Sequence, residues 1–385
     1  MKLFIFAGEL SGDTHGGSLL QALKGRIPQL SVSGVAGPAL RAQGVESVLP
    51  MEAFSVMGLS DVLWSLPRLW RHFNCIRDHI LNVQPEVVVF IDSPSFSLRM
   101  AKTLRKHGFK GKIVQYICPT VWAWGKHRIQ RLVNAFDLLL TIYPFEAQYF
   151  AHTPLRVQYV GNPVQEMISR RQYDPNWRAS FGVQPQNQLL ALFPGSRLGE
   201  IKRNLPLQLE AAKLLQKQYP EISILISNAQ EQNTQLIQEL TADKRLKLDR
   251  EAFLIPKEHS FDLMRSCRSA IAKSGTVTLE LALHQCPTVA MYQLSTLNRL
   301  YARHILRLDL PFYCIVNILG EKEIFPEFID QSGSSQDLYD RLKPLYEEGN
   351  ARNRCIADCQ TIQSMFKTND ASSCAAQAIQ ETLKK

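Results

Sequence analysis

The sequence has no apolar run approaching the roughly 20 residues that a helix needs to cross a bilayer. Its eight cysteines form no CxxC pair and show no disulfide-like spacing, so neither a zinc site nor a disulfide framework is indicated, and a reducing cytoplasm fits. The G-x-G-x-x-G fingerprint of dinucleotide-binding proteins is also absent. We therefore expect a chain without membrane spans, without a bound metal and without a cofactor.

Acidic residues are missing from one long interval. No carboxylate stands between Asp92 and Asp137, although the whole chain carries a formal net charge of +9. Such an interval is either a solvated basic face or a surface for a phosphate-rich partner. Because no nucleic-acid motif and no repeat is present, we favour an anionic membrane surface over nucleic acid. The basic residues of the interval are Arg99, Lys102, Arg105, Lys106, Lys110, Lys112, Lys126, Arg128 and Arg131.

Short apolar runs alternate with helical patterns along the chain, which predicts an α/β fold with parallel sheets. A chain of 385 residues has room for two domains. Because Gly161-Asn162-Pro163 interrupts the pattern, we predict lobes at 1–165 and 166–350, and C-terminal helices at 351–385 that could pack back on the first lobe. The predicted strands are residues 2–7, 32–35, 47–49, 86–91, 112–117, 138–142, 156–160, 189–193, 222–227, 252–255, 270–272, 287–291 and 312–316.

A glycine-rich segment, residues 8–17, follows the first predicted strand. We interpret it as a ligand loop before a helix, and Ser11 or Asp13 could cap that helix. Glu9 and His15 are candidate polar contacts in the loop, and each is equally compatible with a structural role. Ser11, Asp13 and His15 are the candidate contacts with an acceptor in this segment.

Asp92 follows an almost continuous apolar strand. Ligands of parallel sheets bind beyond the carboxyl ends of the strands, so Asp92 is a candidate catalytic carboxylate. The alternative is that it caps a helix beginning near Ser95. After the next strand, Trp122 and Trp124 could wall a pocket for a sugar or an acyl chain, although buried packing is the commoner fate of tryptophan.

Residues 54–73 are dense in apolar side chains, with arginines near their end. The segment is either protein core or a surface that docks on lipid. Its candidate lipid contacts are Met57, Trp64 and Trp70. A second basic amphipathic stretch carries Arg299, Arg303 and Arg307 at four-residue spacing, and it is either solvated or membrane-facing.

Two turns in the second lobe have the form of anion sites. Residues 189–193 predict a strand, and a turn containing Gly195, Ser196 and Arg197 precedes a helical pattern. Free backbone N–H groups and the positive end of the helix dipole would meet there. Arg197 adds a planar donor fork suited to phosphate.

The second turn, Ser274-Gly275-Thr276, also stands between a strand and a helix. Its N–H groups and hydroxyls could bind a diphosphate, and Glu280 could accept both ribose hydroxyls of a nucleotide. The alternative is an ordinary capped helix. Two such turns in one lobe favour a nucleotide-diphosphate site.

The assembled motifs resemble one family, the lipid-A-disaccharide synthases, in the family's order. The resemblance implies an inverting, metal-independent glycosyltransferase with two Rossmann-like lobes and a cleft between them, the GT-B arrangement. It implies transfer of 2,3-diacylglucosamine from UDP to the 6-hydroxyl of 2,3-diacylglucosamine 1-phosphate, giving the β-1,6 disaccharide of lipid A on the cytoplasmic face of the inner membrane. The motifs are Gly8-Glu9-Leu10-Ser11-Gly12-Asp13, Ile91-Asp92-Ser93-Pro94, Pro119-Thr120-Val121-Trp122-Ala123-Trp124, Phe193-Pro194-Gly195-Ser196-Arg197 with Glu200, and Lys273-Ser274-Gly275-Thr276 with Glu280.

The resemblance also implies roles for single residues. By position these are Asp92 as general base, Arg197 beside the UDP diphosphate, Ser274 and Thr276 as phosphate contacts, Glu280 as ribose carboxylate, and Glu9 as a functional glutamate of the acceptor lobe. The sequence departs from the family pattern at Ser95, where a second acid is common. It also departs at Val316, where a proline is frequent, which bears on Asn317 as an acceptor contact.

Two other functions fit the same residues. One is another UDP-sugar enzyme on this fold, either a UDP-N-acetylglucosamine 2-epimerase or a lipid-II-type N-acetylglucosaminyltransferase. The other is a non-enzymatic binder of nucleotides or nucleic acid, which the net charge would favour. The sequence leaves a homodimer open.

Overall fold

The computed structural model describes residues 1–54, 59–124, 128–243, 252–293, 311–329, 333–366 and 370–384, with the side chains of all but 59–66, 123–124 and 252. The chain divides into two compact units, Met1–Glu166 with Phe366–Lys385 and Met167–Met365. Each unit holds one parallel sheet, so the predicted α/β fold class is confirmed. No helix in the described ranges combines the length and the apolar character that a bilayer span requires.

The first unit is built on a seven-stranded sheet in the order β3-β2-β1-β4-β5-β6-β7. Its strands are β1 (Lys2–Ala7), β2 (Ser31–Ala36), β3 (Glu46–Pro50), β4 (Val87–Ile91), β5 (Lys112–Tyr116), β6 (Leu138–Thr141) and β7 (Arg156–Tyr159). Its helices are α1 (Leu10–Arg26), α2 (Pro38–Ala42), α3 (Leu59–Val83), α4 (Pro94–Lys106), α5 (Val121–Trp124), α6 (Ile129–Val133) and α7 (Pro163–Arg170), the last of which continues into the second unit.

Both faces of this sheet are covered, which explains the continuous apolar runs of its central strands. Ile5 and Val89 pack in the layer that includes α1, whereas Phe4 and Val88 pack in the layer that includes α3 and α4. The C-terminal helix, Ala371–Leu383, packs against α1. Because every strand pair in the sheet is parallel, all the carboxyl ends lie along one edge.

The glycine-rich segment after β1 is helical, so the predicted loop over residues 8–17 is wrong beyond Glu9. Its glycines allow α1 to lie close to its neighbours. A Cβ on Gly16 would stand 2.8 Å from Ile91 Cδ1, and one on Gly17 would stand 3.1 Å from Ala39 Cβ. Close packing, and not loop freedom, therefore accounts for these small residues.

The second unit is built on a six-stranded sheet in the order β10-β9-β8-β11-β12-β13. Its strands are β8 (Gln188–Phe193), β9 (Ile222–Asn228), β10 (Ala252–Pro256), β11 (Ser269–Lys273), β12 (Thr288–Tyr292) and β13 (Glu327–Ile329). Its further helices are α8 (Leu198–Gln218), α9 (Thr234–Ala242), α10 (Ser260–Ser266), α11 (Thr276–Leu283), α12 (Ile315–Gly320), α13 (Ser335–Tyr346) and α14 (Asn350–Ser364). The C-terminal helix of the first unit is α15.

The predicted strand at residues 312–316 is wrong. The chain there enters α12, and the edge strand β13 comes later. A short apolar run has no periodicity that separates a strand from a buried helix. The backbone N–H groups of Tyr313 and Cys314 donate to the Glu327 carboxylate, 2.8–3.0 Å away, and this holds the start of α12.

In each sheet the first strand of the unit lies inside the sheet. The next two strands are added on one side of it and the later strands on the other, so the direction in which strands are added reverses beside the first strand. The reversal lies between β1 and β4 in the first unit and between β8 and β11 in the second. Open parallel sheets bind ligands beyond the carboxyl ends of strands at such a reversal. A site is therefore expected in the segments immediately after these four strands.

Candidate active site

The reversal in the first unit brings two carboxylates together. Glu9 follows β1, and Asp92 follows β4. Partial burial raises the pKa of the Asp92 carboxyl above its ordinary value, and the negative charge of Glu9 raises it further, against a hydrogen bond from the Ser93 backbone N–H. Helix α4 has Ser93 at its N-cap position, so Asp92 lies outside the position that a capping residue would take. An aspartate with a raised pKa is a stronger base than an ordinary one.

The backbone around Asp92 is strained. Asp92, Ser93 and Ile117 have φ angles of 53°, 51° and 72°, in the left-handed region that non-glycine residues rarely adopt. Each such residue costs about 1–3 kcal/mol and persists only where its surroundings hold it. The Asp92 N–H donates to the Tyr116 carbonyl at 3.0 Å, and the Gln115 amide donates to the carbonyls of Asp92 and Ile117 at 3.0 and 3.1 Å.

Sequence reasoning missed Gln115. Its side chain is fully buried in the middle of the sheet, and it fixes the strained residues through their carbonyls. The available signal was a single amide in the otherwise apolar stretch IVQYI. A buried polar side chain in a central strand needs partners, and here those partners are at the candidate site.

Neither Ser11 nor Asp13 caps α1, and the prediction that one of them could is wrong, because both lie inside that helix. Asp13 has another role. Its carboxylate is fully buried and accepts hydrogen bonds from the backbone N–H groups of Gly37, Ala39 and Leu40 at 2.8, 2.7 and 3.2 Å. These are the N–H groups at the start of α2. The structure therefore gives Asp13 a role in holding α2, and not the exposed carboxylate that a contact with an acceptor would require.

Two other candidates lie on the first turns of α1. Ser11 is exposed, and His15 is partly buried. Burial lowers the pKa of His15 to about 4, so its imidazole is neutral at physiological pH. It can therefore donate or accept a hydrogen bond there, but it brings no positive charge to an anionic ligand.

Trp122 is half-buried near the carboxyl end of β5. Its indole N–H donates to Glu146 Oε1 at 3.4 Å, and its ring meets the Phe145 ring edge-on at 5.4 Å. The Glu146 carboxylate also accepts the backbone N–H groups of Ile142 and Tyr143 at 3.1 and 3.0 Å. Glu146 is fully buried, and burial raises its pKa to about 7. No pattern in the sequence singles out this glutamate.

The candidate lipid contacts are only partly described. Trp70 is 57% exposed and stacks on Phe73 with 5.8 Å between ring centroids. Met57, Arg299, Arg303 and Arg307 lie outside the described residues, and the side chains of Trp64 and Trp124 lie outside the described side chains. Of the basic residues on α4, Arg99, Lys102 and Lys106 are exposed or partly exposed.

In the second unit, the turn after β8 is built around a glycine. Gly195 has φ 116°, and a Cβ there would stand 2.6 Å from Glu200 Oε2. The N–H groups of Ser196 and Arg197 donate to that oxygen at 3.2 and 3.4 Å. The prediction that the N–H groups of this turn are free is therefore wrong for these two. Arg197 is the N-cap residue of α8, and its side chain is 74% exposed.

The turn after β11 lies beside the first turn. Lys273, the last residue of β11, pairs with Glu200, and 3.3 Å separates Nζ from Oε1. The Ser274 N–H donates to the Met291 carbonyl at 2.7 Å, so the prediction that this N–H could bind a diphosphate is wrong. The Ser274 hydroxyl donates to the Tyr313 carbonyl at 3.4 Å. Gly275 and Thr276 are exposed at the start of α11. The structure thus brings the two predicted turns of this unit together.

Glu280 lies one turn into α11 and is partly buried. Burial raises the pKa of its carboxyl to about 7, and the positive charge of Lys257 acts in the opposite direction. Lys257 follows β10, so it comes from the same edge of the sheet as the two turns.

Three buried amides support the turn after β8, and sequence reasoning missed all three. Two of them, Asn204 and Gln208, stand one turn apart on the apolar face of α8, which was the available signal. Each of the three amides donates to a backbone carbonyl in or next to the turn and so holds the turn in place. The bonds are Asn204 Nδ2 to Pro194 O at 2.8 Å, Gln208 Nε2 to Phe193 O at 3.3 Å and Asn233 Nδ2 to Ser196 O at 3.0 Å.

Asn317 does not have the exposed side chain expected of an acceptor contact. It is fully buried on α12, and its Oδ1 accepts the N–H groups of Ile324 and Phe325 at 2.8 Å. Its amide donates to the Phe325 carbonyl and to Glu327 at 2.8 and 3.0 Å. These bonds fill its hydrogen-bonding capacity, so its observed role is to fix the chain between α12 and β13.

A protein-bound metal ion needs several ligand side chains that converge on one point. Within the described part of the chain, no group of three His, Cys, Asp or Glu side chains is placed to hold a metal ion.

Several solved structures share the fold of this chain. The chain resembles the S. aureus MnaA–UDP co-structure with a TM-score of 0.67 and 13% identity, covering 100% of this chain and 97% of that one. It resembles the UDP-GlcNAc 2-epimerase from Neisseria meningitidis bound to UDP-GlcNAc with a TM-score of 0.63 and 12% identity, covering both chains fully. The glycotransferase of kitacinnamycin gives a TM-score of 0.66 at 12% identity over 99% of each chain.

Identities this low show the fold alone. The fold is that of the GT-B class, an α/β protein with two Rossmann-like lobes. The family model for lipid-A-disaccharide synthetase matches residues 3–381. The chain therefore belongs to the lipid-A-disaccharide synthetase family.

Curated relatives agree with this assignment. The lipid-A-disaccharide synthase of Chlamydia pneumoniae is 36% identical over 377 residues, which is 96% of this chain and 61% of that protein. That of Azotobacter vinelandii is 32% identical over 382 residues, 99% of this chain and 98% of that protein. The chain thus spans about three fifths of the length of the chlamydial relatives it matches.

Proposed function

We propose that this protein is a glycosyltransferase that condenses UDP-2,3-diacylglucosamine with 2,3-diacylglucosamine 1-phosphate. The products would be the β-1,6 disaccharide 1-phosphate of lipid A and UDP. The observation that carries the proposal is the family match over residues 3–381. The relative from A. vinelandii, whose length the chain covers to 98%, supports it.

In the proposed reaction the first unit supplies the base. Asp92 takes the proton of the acceptor 6-hydroxyl as its oxygen attacks the anomeric carbon of the donor, and the bond from that carbon to UDP breaks with inversion. The raised pKa of Asp92 suits this role. Glu9 would act on Asp92 by its charge, which keeps the proton affinity of the base high.

In the same reaction the second unit binds the donor. Positive charge for the departing diphosphate would come from the exposed guanidinium of Arg197 and from the N-termini of α8 and α11. Ser274, Gly275 and Thr276 would contact the phosphates. Glu280 would accept the ribose hydroxyls, most strongly once its carboxyl is ionised.

Exposed apolar side chains support the proposal that the substrates carry acyl chains. Of the large hydrophobic side chains exposed in the described residues, Leu10, Leu198 and Tyr313 are about two-fifths exposed. Leu10 and Leu198 begin the helices that follow the central strands β1 and β8, and the Tyr313 carbonyl accepts the Ser274 hydroxyl. Exposed apolar groups beside polar sites are typical of surfaces that bind apolar ligands.

We propose further that the protein binds peripherally to the cytoplasmic face of the inner membrane. Trp70, which is 57% exposed, and the basic residues of α4 belong to the same unit, and α3 packs against α4. A unit that carries an exposed aromatic side chain and exposed basic side chains is suited to an anionic lipid surface.

One experiment tests the proposed activity. The purified protein is incubated with both substrates in the presence of a chelator, and the products are followed by mass spectrometry. We expect disaccharide 1-phosphate and UDP in equal amounts. No disaccharide from the acylated substrates, together with epimerisation of UDP-N-acetylglucosamine, would contradict the proposal and favour the epimerase alternative.

A further inference from the structure

We infer that Glu200 is a positioning residue for the diphosphate, because it ties the turn after β8 to the turn after β11. The inference rests on the proposed function, since it assigns how that donor site is held in shape. Glu200 does not need to touch the ligand for this role. It acts through the groups that would.

The carboxylate of Glu200 is shared between the two turns. Its Oε2 accepts the N–H groups of Ser196 and Arg197 at 3.2 and 3.4 Å. Its Oε1 lies 3.3 Å from Lys273 Nζ and 3.6 Å from Arg197 Nη1. One side chain therefore contacts both the backbone of the first turn and a cation at the end of β11.

Burial distinguishes this arrangement from a surface ion pair. The side chains of Glu200 and Lys273 are only 14% and 20% exposed, whereas that of Arg197 is 74% exposed. The pair with Lys273 is thus the better shielded from water, and Arg197 keeps most of its guanidinium free for a ligand. Gly195 makes room for the carboxylate, since a Cβ there would stand 2.6 Å from Glu200 Oε2.

A glutamate at the third position of a helix commonly accepts the N–H of its own N-cap residue. That role explains the hydrogen bond that Oε2 accepts from the Arg197 N–H and leaves the pair between Oε1 and Lys273 unexplained. The sum of charges on Glu200, Lys273 and Arg197 is positive, so the group attracts an anion although it contains a carboxylate. With the carboxylate removed, Lys273 would lose its anchor and the first turn would lose its acceptor.

The test compares UDP with uridine, which shares the nucleoside and lacks the phosphates. Dissociation constants are measured by calorimetry for the full chain, for Glu200→Gln and for Glu200→Ala. Glutamine keeps an acceptor for the two N–H groups and loses the charge that pairs with Lys273. Glu210→Gln, an exposed glutamate on the same helix, is the matched control.

We expect Glu200→Gln to weaken UDP binding about 10-fold, which lies within the coupling that contacting charged residues show. Uridine binding should stay within about 2-fold. Glu200→Ala should weaken UDP binding more, and Glu210→Gln should change neither ligand. Thermal melting of each variant checks the fold, and Glu200→Gln still answers the question if Glu200→Ala fails to fold.

A double-mutant cycle with Lys273→Met tests whether Glu200 affects UDP binding through Lys273. If Glu200 acts through Lys273, Glu200→Gln has little further effect on UDP binding in the Lys273→Met background. Independent, additive effects would overturn the inference, as would unchanged UDP binding or an equal loss for uridine in folded Glu200 variants. Wild-type protein that fails to bind UDP would instead contradict the proposed function, and the inference would fall with it.

Discussion

At the scale of single residues, Asp92 departs from the usual values in both its backbone and its carboxyl pKa. Asp92 combines a left-handed backbone with φ 53° and a raised carboxyl pKa. Both features cost stability, and a buried amide, Gln115, holds the strained backbone in place. Strain and perturbed proton affinity occurring together at one carboxylate are typical of functional positions.

Asp92→Asn separates chemistry from structure. Asparagine tolerates the left-handed region at least as well as aspartate, so we expect the variant to fold normally. It cannot take a proton, and turnover should fall by about 10²–10⁴-fold. The measurement is kcat for disaccharide formation, with circular dichroism as the check on folding. Near-normal turnover by the folded variant would show that Asp92 is not the base.

Glu146 predicts a dependence of stability on pH. Its pKa is raised from 4.5 to about 7 in the folded protein. Between those values the unfolded chain releases this proton while the folded chain keeps it, so the contribution of Glu146 to stability is lost as pH rises. Glu146→Gln has no such proton. We therefore expect the melting temperature of the variant, relative to wild type, to increase from pH 5 to pH 8.

The titration of His15 does not disturb the comparison between Glu146→Gln and wild type. Burial lowers the pKa of His15 to about 4, so His15 adds stability as pH rises from about 4 towards its unfolded value near 6.5. His15 is present in both proteins, and its effect cancels in the difference between them. A difference in melting temperature that is constant across this pH range would contradict the assignment for Glu146.

At the scale of elements, the candidate residues of each unit lie in the segments that follow two neighbouring strands of its own sheet. In the first unit Glu9 follows β1 and Asp92 follows β4, and in the second unit the two turns follow β8 and β11. The strands place the polar residues at the carboxyl edge of each sheet. Hydrogen bonds from neighbouring side chains then hold the turns in place. Buried amides of α8 fix the first of these turns through its carbonyls.

Gly195→Ala tests how tightly the first turn is built. Alanine would face both a φ of 116° and a Cβ placed 2.6 Å from Glu200 Oε2. We expect a loss of about 2–3 kcal/mol in the free energy of unfolding, measured with urea. We also expect weaker UDP binding, because the displaced Glu200 would no longer hold the turn.

A second glycine with a positive φ allows backbone strain to be distinguished from the contact between the new Cβ and Glu200. Gly182 has φ 69°, and a Cβ there would meet nothing within 4 Å. Gly182→Ala should therefore lose only what a left-handed alanine costs, about 1–2 kcal/mol, with unchanged UDP binding. If both variants behave alike, the contact with Glu200 does not shape the turn.

At the scale of the whole molecule, the alternation of apolar runs was enough to predict two parallel sheets. Most strands are found within one or two residues of their predicted bounds, as for β1 and β7. Central parallel strands are apolar on both faces, so their signal is strong. The edge strand β13 has only three residues, which is too few to show a period. The apolar run that was predicted as a strand instead leads into α12, because a short apolar run does not distinguish a strand from a buried helix.

The site was less predictable than the fold, for a physical reason. Positions after strands were sufficient to indicate Asp92, Arg197 and Ser274, because topology brings carboxyl ends to one edge. Whether a polar side chain is available to a ligand depends on the hydrogen bonds that it makes within the fold, and these join segments that are distant in the sequence. Asp13 and Asn317 were predicted as ligand contacts, yet their hydrogen bonds are used within the fold.

The proposed membrane binding is a prediction at the scale of the whole molecule. With a net charge of +9 and an exposed Trp70, we expect the protein to sediment with vesicles that contain anionic lipid at low ionic strength. High salt should release it, since screening shortens the reach of these charges. Vesicles of neutral lipid are the control. A protein that stays in solution with anionic vesicles at low salt would leave the proposed membrane association without support.

We propose, above all, that the second unit binds a nucleoside diphosphate at its two adjoining turns. A crystal structure of the protein with UDP tests it most directly. We predict the diphosphate within hydrogen-bonding distance of the Arg197 guanidinium and of Ser274 or Thr276, with the ribose hydroxyls at Glu280. Diphosphate density elsewhere on the molecule, with both turns empty, would contradict the account.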